Sequence, residues 1–228
     1  MSRLNAAVIP VTPFQQNCIL LLDEASKQAA VIDPGGEVER ILAAIDQQGA
    51  RVEKIVLTHG HIDHAGGAAA LKEALEQRLA AAGAAGTVPV EGPDPRDCFL
   101  LEGLAAQGRA YGVADARDLV PDRWLEEGGE VEIAGHAFKV LHCPGHTPGH
   151  LVFVSTSVPF ALVGDVLFRG SIGRTDFPYG DHGALLCAIQ GKLLPLGDEV
   201  AFLCGHGPGS TIGEERRSNP FLRGMDAA

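Results

Sequence analysis

Aromatics, paired cysteines and basic charge are all scarce in this chain. Among 228 residues there are one Trp and two Tyr, and the five cysteines are odd in number and contain no CxxC pair. That pattern excludes a disulfide framework and a cysteine-rich zinc module, and it points to buried, unpaired thiols in a reducing compartment. No apolar run approaches the roughly 18–20 residues that cross a bilayer. The opening MSRLNAAVIPVTPF has no charged stretch followed by a long apolar one, so no secretory signal is visible. The expectation is a cytoplasmic protein with no membrane partner. Lys and Arg number 18 against 29 Asp and Glu, a formal charge of −11. A nucleic-acid partner is therefore not expected, because binding one requires phosphates to be neutralised by basic residues. A hydrophobic content of 46% is too high for a disordered chain. A chain of this length buries roughly 70% of the surface its unfolded form exposes and needs no covalent staples.

Histidine and glycine are abundant instead: nine His, 29 Gly and 14 Pro. Short apolar, β-branched runs at 5–11, 18–22 and 29–33 read as strands, and Pro34-Gly35-Gly36 breaks the pattern. Val38, Ile41, Leu42 and Ile45 then recur at helical spacing over 37–48, with Gly49 as the stop. A buried strand at 54–57 leads into a His-rich loop, followed by an Ala-rich helix over 68–81. Further strands are expected at 87–90, 130–133, 136–141, 151–155, 160–163 and 200–203. Helices are expected at 183–193, with Asp181 as N-cap, and near 213–218. The segment 92–129, rich in Pro, Gly and charge, carries one short helix near 99–107; it reads equally as a functional cover or as a plain surface connection. Strands, helix, strand, helix occur twice over. This order predicts an α/β fold, a four-layer αββα sandwich in which two mixed β-sheets pack face to face with helices on both outer faces, as one domain over 1–228.

The chemistry concentrates in His59-x-His61-x-Asp63-His64. Alternate residues of an extended loop share a side, so His59 and His61 converge on one cation, while Asp63 and His64 turn with the start of the next helix toward a second position nearby. His146 in CPGHTPGH, Asp165 at the end of FALVGD and His206 at the end of AFLCGH each follow a strand, and Gly flanks all three. Taken singly, His146 and His206 read as ordinary hydrogen-bonded histidines and Asp165 as a turn or cap residue; their order and company make the case. Seven such ligands exceed the about four of a closed structural zinc site. They suit two metals sharing a carboxylate and a water, with imidazole and carboxylate donors matched to zinc, iron or manganese. His136 and His182 read as surface residues. His142 and His150 flank the ligand loop; they read as structural, with a role supporting the ligands from behind as the alternative.

These residues, in this order, resemble the metallo-β-lactamase superfamily over nearly the whole chain, from VIDPGG through THGHIDH and CPGHTPGH to GHG at 205–207. Within it they look like the glyoxalase II (hydroxyacylglutathione hydrolase) group, and more narrowly its short, YcbL-type bacterial members. PDRWLEEG, GDVLFRGSIGRTDFPYGD, KLLPLGD and GHGPGSTIGEERRSNPFL are typical of that subgroup. The resemblance implies one divalent metal on His59, His61 and His146, a second on Asp63, His64 and His206, and Asp165 as the bridge, with zinc ahead of iron or manganese. The catalytic carboxylates would be Asp63 and Asp165. The family reaction is hydrolysis of S-D-lactoylglutathione to D-lactate and glutathione, a metal-bridging hydroxide attacking the thioester carbonyl, so Cys143 needs no nucleophilic role. Arg174 sits where larger relatives hold the glutathione moiety with a basic residue, and Arg169 is a second candidate; a salt bridge to Asp176 is the plain alternative for Arg174. The helical C-terminal domain of full-length glyoxalase II, which supplies much of the glutathione contact, is not expected here, so another ester or thioester also fits. A persulfide dioxygenase with a single Fe(II) shares the same seven positions and is the alternative activity.

Overall fold

In a computed structural model, residues 3–114 and 116–224 are described; the extreme ends of the expected 1–228 span and Asp115 lie outside the described residues. The first sheet runs β1 (Leu4–Val11), β2 (Gln16–Asp23), β3 (Gln28–Ile32), β4 (Arg51–Val56) and β5 (Val90–Glu91) in that spatial order, antiparallel at first and parallel from β3 to β5. The second holds β6 (Glu130–Ile133), β7 (His136–His142), β8 (Leu151–Ser155), β9 (Phe160–Gly164), β12 (Ala201–Cys204) and β13 (Ser210–Thr211), in which β9 and β12 are parallel. A ribbon of β10 (Leu167–Phe168) and β11 (Ser171–Ile172) stands apart from both.

Period-two side-chain alternation sorts the central strands between two apolar layers. In β2, buried at every position, Ile19 and Leu21 face the second sheet, where they meet Phe138 and Val140 of β7 and Phe153 of β8. Cys18, Leu20 and Leu22 face the other way, against the stripe Val38, Ile41, Leu42 and Ile45 of α1 (Val38–Gln48) and Leu71 and Leu75 of α3 (Ala68–Ala81). On the far side, Val152, Ala161, Val163 and Phe202 pack on Leu185 of α6 (His182–Ala188) and Ile212 of α7 (Ile212–Ser218). The result is the expected four-layer αββα sandwich. No helix among the described residues is long and apolar enough to cross a membrane.

Several elements differ from expectation. The strand expected at 87–90 is the two-residue β5. The helix near 99–107 is a 3-10 turn at Pro95–Asp97, then α4 (Cys98–Leu101) and α5 (Leu104–Tyr111), interrupted at Gly103. The helix expected over 183–193 ends at Ala188 and loosens into a π turn over Ile189–Leu193, because Gly191 weakens it and Pro195 cannot continue an α-helix. Asp181 caps it as expected, accepting the Ala184 N–H at 2.9 Å. The short α2 (Ile62–Ala65), β10, β11 and β13 are too brief for periodicity to reveal.

Candidate metal centre

Four strand ends deliver the seven candidate ligands to one rim of the sandwich. The loop after β4 brings His59 and His61, and Asp63 and His64 lie in α2 immediately after it. His146 follows β7, Asp165 follows β9 and His206 follows β12. His61 Nδ1 lies 3.1 Å from His59 Nε2 and 2.9 Å from His146 Nε2, so three ring nitrogens face one point. Asp63, His64 and His206 form a second convergent set, with His206 Nε2 3.2 Å from Asp63 Oδ2. Asp165 stands between the sets: its Oδ1 is 3.3 Å from His64 Nε2, and its Oδ2 is 3.5 Å from both His146 Nε2 and His206 Nε2. This closeness depends on Gly205, where a Cβ would fall 2.1 Å from Asp165 Oδ1 and 2.5 Å from the His64 ring.

The outward nitrogens of His59, His61, His64 and His146 are held by neighbours, which leaves the inward ones free to ligate. Thr58 Oγ1 lies 3.0 Å from His59 Nδ1 and donates to Asp33 Oδ2 at 2.7 Å. The same Asp33 oxygen is 3.0 Å from His64 Nδ1. The Arg174 carbonyl accepts from His146 Nδ1 at 2.8 Å, and the Tyr179 hydroxyl meets His61 Nε2 at 2.8 Å. His150, wholly buried, accepts the Asp165 backbone N–H. Asp33, Thr58 and Tyr179 escaped the sequence reading; the only signal was the placement of Asp33 in VIDPGG and Thr58 at the head of the His-rich loop. His136 is half-buried beside Asp23 rather than on the surface, whereas His182 is exposed. His142 bonds the Pro148 carbonyl.

Burial, followed by the neighbouring imidazoles, drives His59 well below the usual histidine range and His61 down to about 3; burial also lowers His146. All three are neutral donors at neutral pH. Burial alone would raise Asp165, but the field of His64, joined by His146 and His206, holds it far below the usual carboxylate range. Burial would likewise depress His64, and Asp165 and Asp63 more than reverse that.

Among the described residues, two fully buried atoms here, His64 Nε2 and Asp165 Oδ1, form no well-aligned hydrogen bond, although they lie 3.3 Å apart. Orphaned buried polar groups are costly, and an imidazole nitrogen beside a carboxylate oxygen is the donor pair that a divalent cation satisfies. The residues present therefore fit a metal group.

The metallo-beta-lactamase superfamily profile matches residues 11–206, ending on the last of the seven positions. The chain belongs to this superfamily. A member from Haemophilus influenzae, hydroxyacylglutathione hydrolase GloC, is 45% identical over 96% of this chain and 98% of its own. Two solved members share the fold closely. The B3 metallo-beta-lactamase BLEG-1 has a TM-score of 0.82 at 34% identity over 96% of this chain and all of its own. TTHA1623, solved in a di-iron-bound form, has 0.80 at 40% over 95% and all of its own.

As a superfamily member, the chain has a cleft of about 760 Å³ above the His/Asp rim. Phe14, Leu100, Tyr111, Arg174, Phe177 and Tyr179 are among the residues that line it. Arg174 lines it while gripping Asp176 through two bonds of 2.7 Å and covering the Phe177 ring at 4.5 Å. The plain salt bridge and the cleft position therefore coexist. Arg169 lines a separate hollow of about 550 Å³ with Ser210, Thr211 and Glu214, and is not among the residues lining the cleft.

Proposed function

We propose that this chain is a dinuclear metallohydrolase that cleaves the thioester of a hydroxyacyl thiol, with S-D-lactoylglutathione as the first substrate to test. The position of Asp165 carries the reading: one carboxylate within 3.5 Å of ring nitrogens from both ligand sets is the arrangement two adjacent cations require. The 45% identical hydroxyacylglutathione hydrolase supports the substrate class. Imidazole and carboxylate donors without thiolate accept zinc, iron or manganese. His59, His61 and His146 would hold one ion, Asp63, His64 and His206 the other, and Asp165 both. Bound there, such ions supply Lewis acidity, which lowers the pKa of water and balances charge developing on the thioester oxygen.

The protein's own groups do the rest. Neutral His59, His61 and His146 present lone pairs without proton competition. Burial pushes the Tyr179 phenol up to about 12, so it stays uncharged at neutral pH, and its oxygen accepts the His61 Nε2 N–H, which leaves Nδ1 with the free lone pair. Burial also pushes the Cys143 and Cys204 thiols up to about 12, which leaves neither as a thiolate nucleophile. The aromatic walls exclude water from the bound thioester. Arg174 is the cation in position to meet an anionic thiol arm, and Arg169 is given no substrate contact.

The test is hydrolysis of S-D-lactoylglutathione by protein of measured metal content. Turnover that scales with metal content is expected. Metal-loaded protein inert toward thioesters would overturn the reading, and oxygen consumption by an Fe(II) form with glutathione persulfide would replace it with the dioxygenase.

A further inference from the structure

Between β5 and β6 the chain makes a long excursion whose sequence announces no purpose. In its first turn stands Asp97, with no solvent exposure. Its Oδ2 accepts the Gly60 N–H at 2.9 Å and the Thr147 hydroxyl at 2.7 Å, and its Oδ1 accepts the Gly149 N–H at 2.6 Å. Gly60 lies between His59 and His61; Thr147 follows His146, and Gly149 precedes His150. One carboxylate thus ties together the two loops that supply the first ligand set.

The contact is built for close approach. A Cβ at Gly149 would fall 2.7 Å from the Asp97 nitrogen and 2.8 Å from its carboxyl carbon. The same turn is fastened a second time, the Asp94 N–H donating to the Gly149 carbonyl at 3.2 Å. Among the described residues no Lys or Arg pairs with Asp97; its neighbour Arg96 is held by Asp94 at 2.8 Å. Burial accordingly pushes the Asp97 carboxyl up to about 6. A buried carboxylate without a cation is expensive to keep, and it is kept where hydrogen-bond donors use both of its oxygens. The second ligand set is held differently: Asp33 faces His64, and the Asn17 amide binds the carbonyls of Cys204 and Gly207 around His206.

We propose that Asp97 is a positioning residue for the first metal subsite, holding the His59–His61 and His146 loops at the spacing at which their ring nitrogens converge. The inference rests on the metal reading above and goes beyond it by giving the 92–129 segment a task. A carboxylate is needed because three donors must be met by two oxygens. In Asp97→Asn the volume is kept, but an NH2 group faces an N–H or O–H donor, so one side of the clamp opens.

The experiment is a zinc titration of apo-protein against a competing chelator, with cobalt(II) absorption as the coordination readout and circular dichroism as the check of fold. Wild type binds two equivalents. Asp97→Asn weakens one of them by about tenfold or more, the usual consequence of losing an outer-shell partner, changes its cobalt spectrum, and leaves the other within about threefold. Thr147→Val, which removes a single donor, weakens the same equivalent less. Folded Asp97→Asn with both equivalents at wild-type affinity, or with both weakened alike, overturns the clamp. If Asp97→Asn fails to fold, Thr147→Val decides, and unchanged affinity there overturns it. A wild-type protein that binds no zinc brings down the metal reading and the clamp with it, an outcome distinct from two intact sites in the variant.

Discussion

The buried ring of His150 accepts the backbone N–H of Asp165 at 2.9 Å while stacking on His59 at 4.5 Å. A residue outside both candidate ligand sets thereby fixes the chain where Asp165 emerges and packs against a candidate ligand of the first set. Its other nitrogen, Nδ1, is buried without a hydrogen-bond partner among the described residues.

His150→Phe keeps an aromatic ring and removes the acceptor. The Asp165 N–H is then buried and unpaired, which costs about 1–3 kcal/mol. For a chain of this size each kcal/mol lowers the melting temperature by about 2–4 °C. Calorimetry should show that drop, and metal analysis should find fewer than two ions per chain. Wild-type values in both would make the bond incidental.

Asp165→Ala removes the atom pair that faces both ligand sets. The variant should bind one equivalent of metal tightly at most, and thioester hydrolysis should fall by at least about a hundredfold, the lower range for losing a group that acts in the transition state. Two retained ions with near-normal turnover would refute the bridging role.

Arg174→Ala tests the cleft wall. The Arg174–Asp176 pair is exposed on both sides, and exposed pairs contribute at most about 1 kcal/mol. Thermal stability should therefore barely move. KM for an anionic glutathione thioester should rise several-fold more than KM for a neutral ester. Equal changes for both substrates would leave Arg174 a wall residue without a charge role.

The thiols divide into two classes. Cys98 and Cys187 are exposed; Cys18, Cys143 and Cys204 are buried. Burial raises the pKa of each of the buried three, so they remain protonated as pH climbs from 7 to 9. A disulfide reagent on native protein should label the two exposed thiols, and label five after denaturation. Labelling of Cys143 at the exposed rate would restore it as a candidate nucleophile.

The seven candidate ligands were legible because each is a His or Asp in a Gly-flanked run just after an apolar strand, a local pattern. The helical stripe of α1 was legible for the same reason. Asp97 was not: its donors lie 37 to 52 residues away, and in sequence it is one acid in a Pro- and charge-rich stretch. Nor was the break of one expected helix into α4 and α5, since a glycine within a periodic run marks a weak point without saying whether the helix yields there.

By itself the sequence determined the donor chemistry, the helical stripe of α1 and the order of strands and helices, because these are properties of neighbours along the chain. The tertiary structure decided which nitrogens face one another, that Asp165 stands between the two sets, and that Arg174 lines the cleft while Arg169 lines another hollow. It also decided that Asp97 joins two ligand loops. Those relations depend on where separate strand ends meet and how closely glycine lets them approach, and no local pattern encodes either.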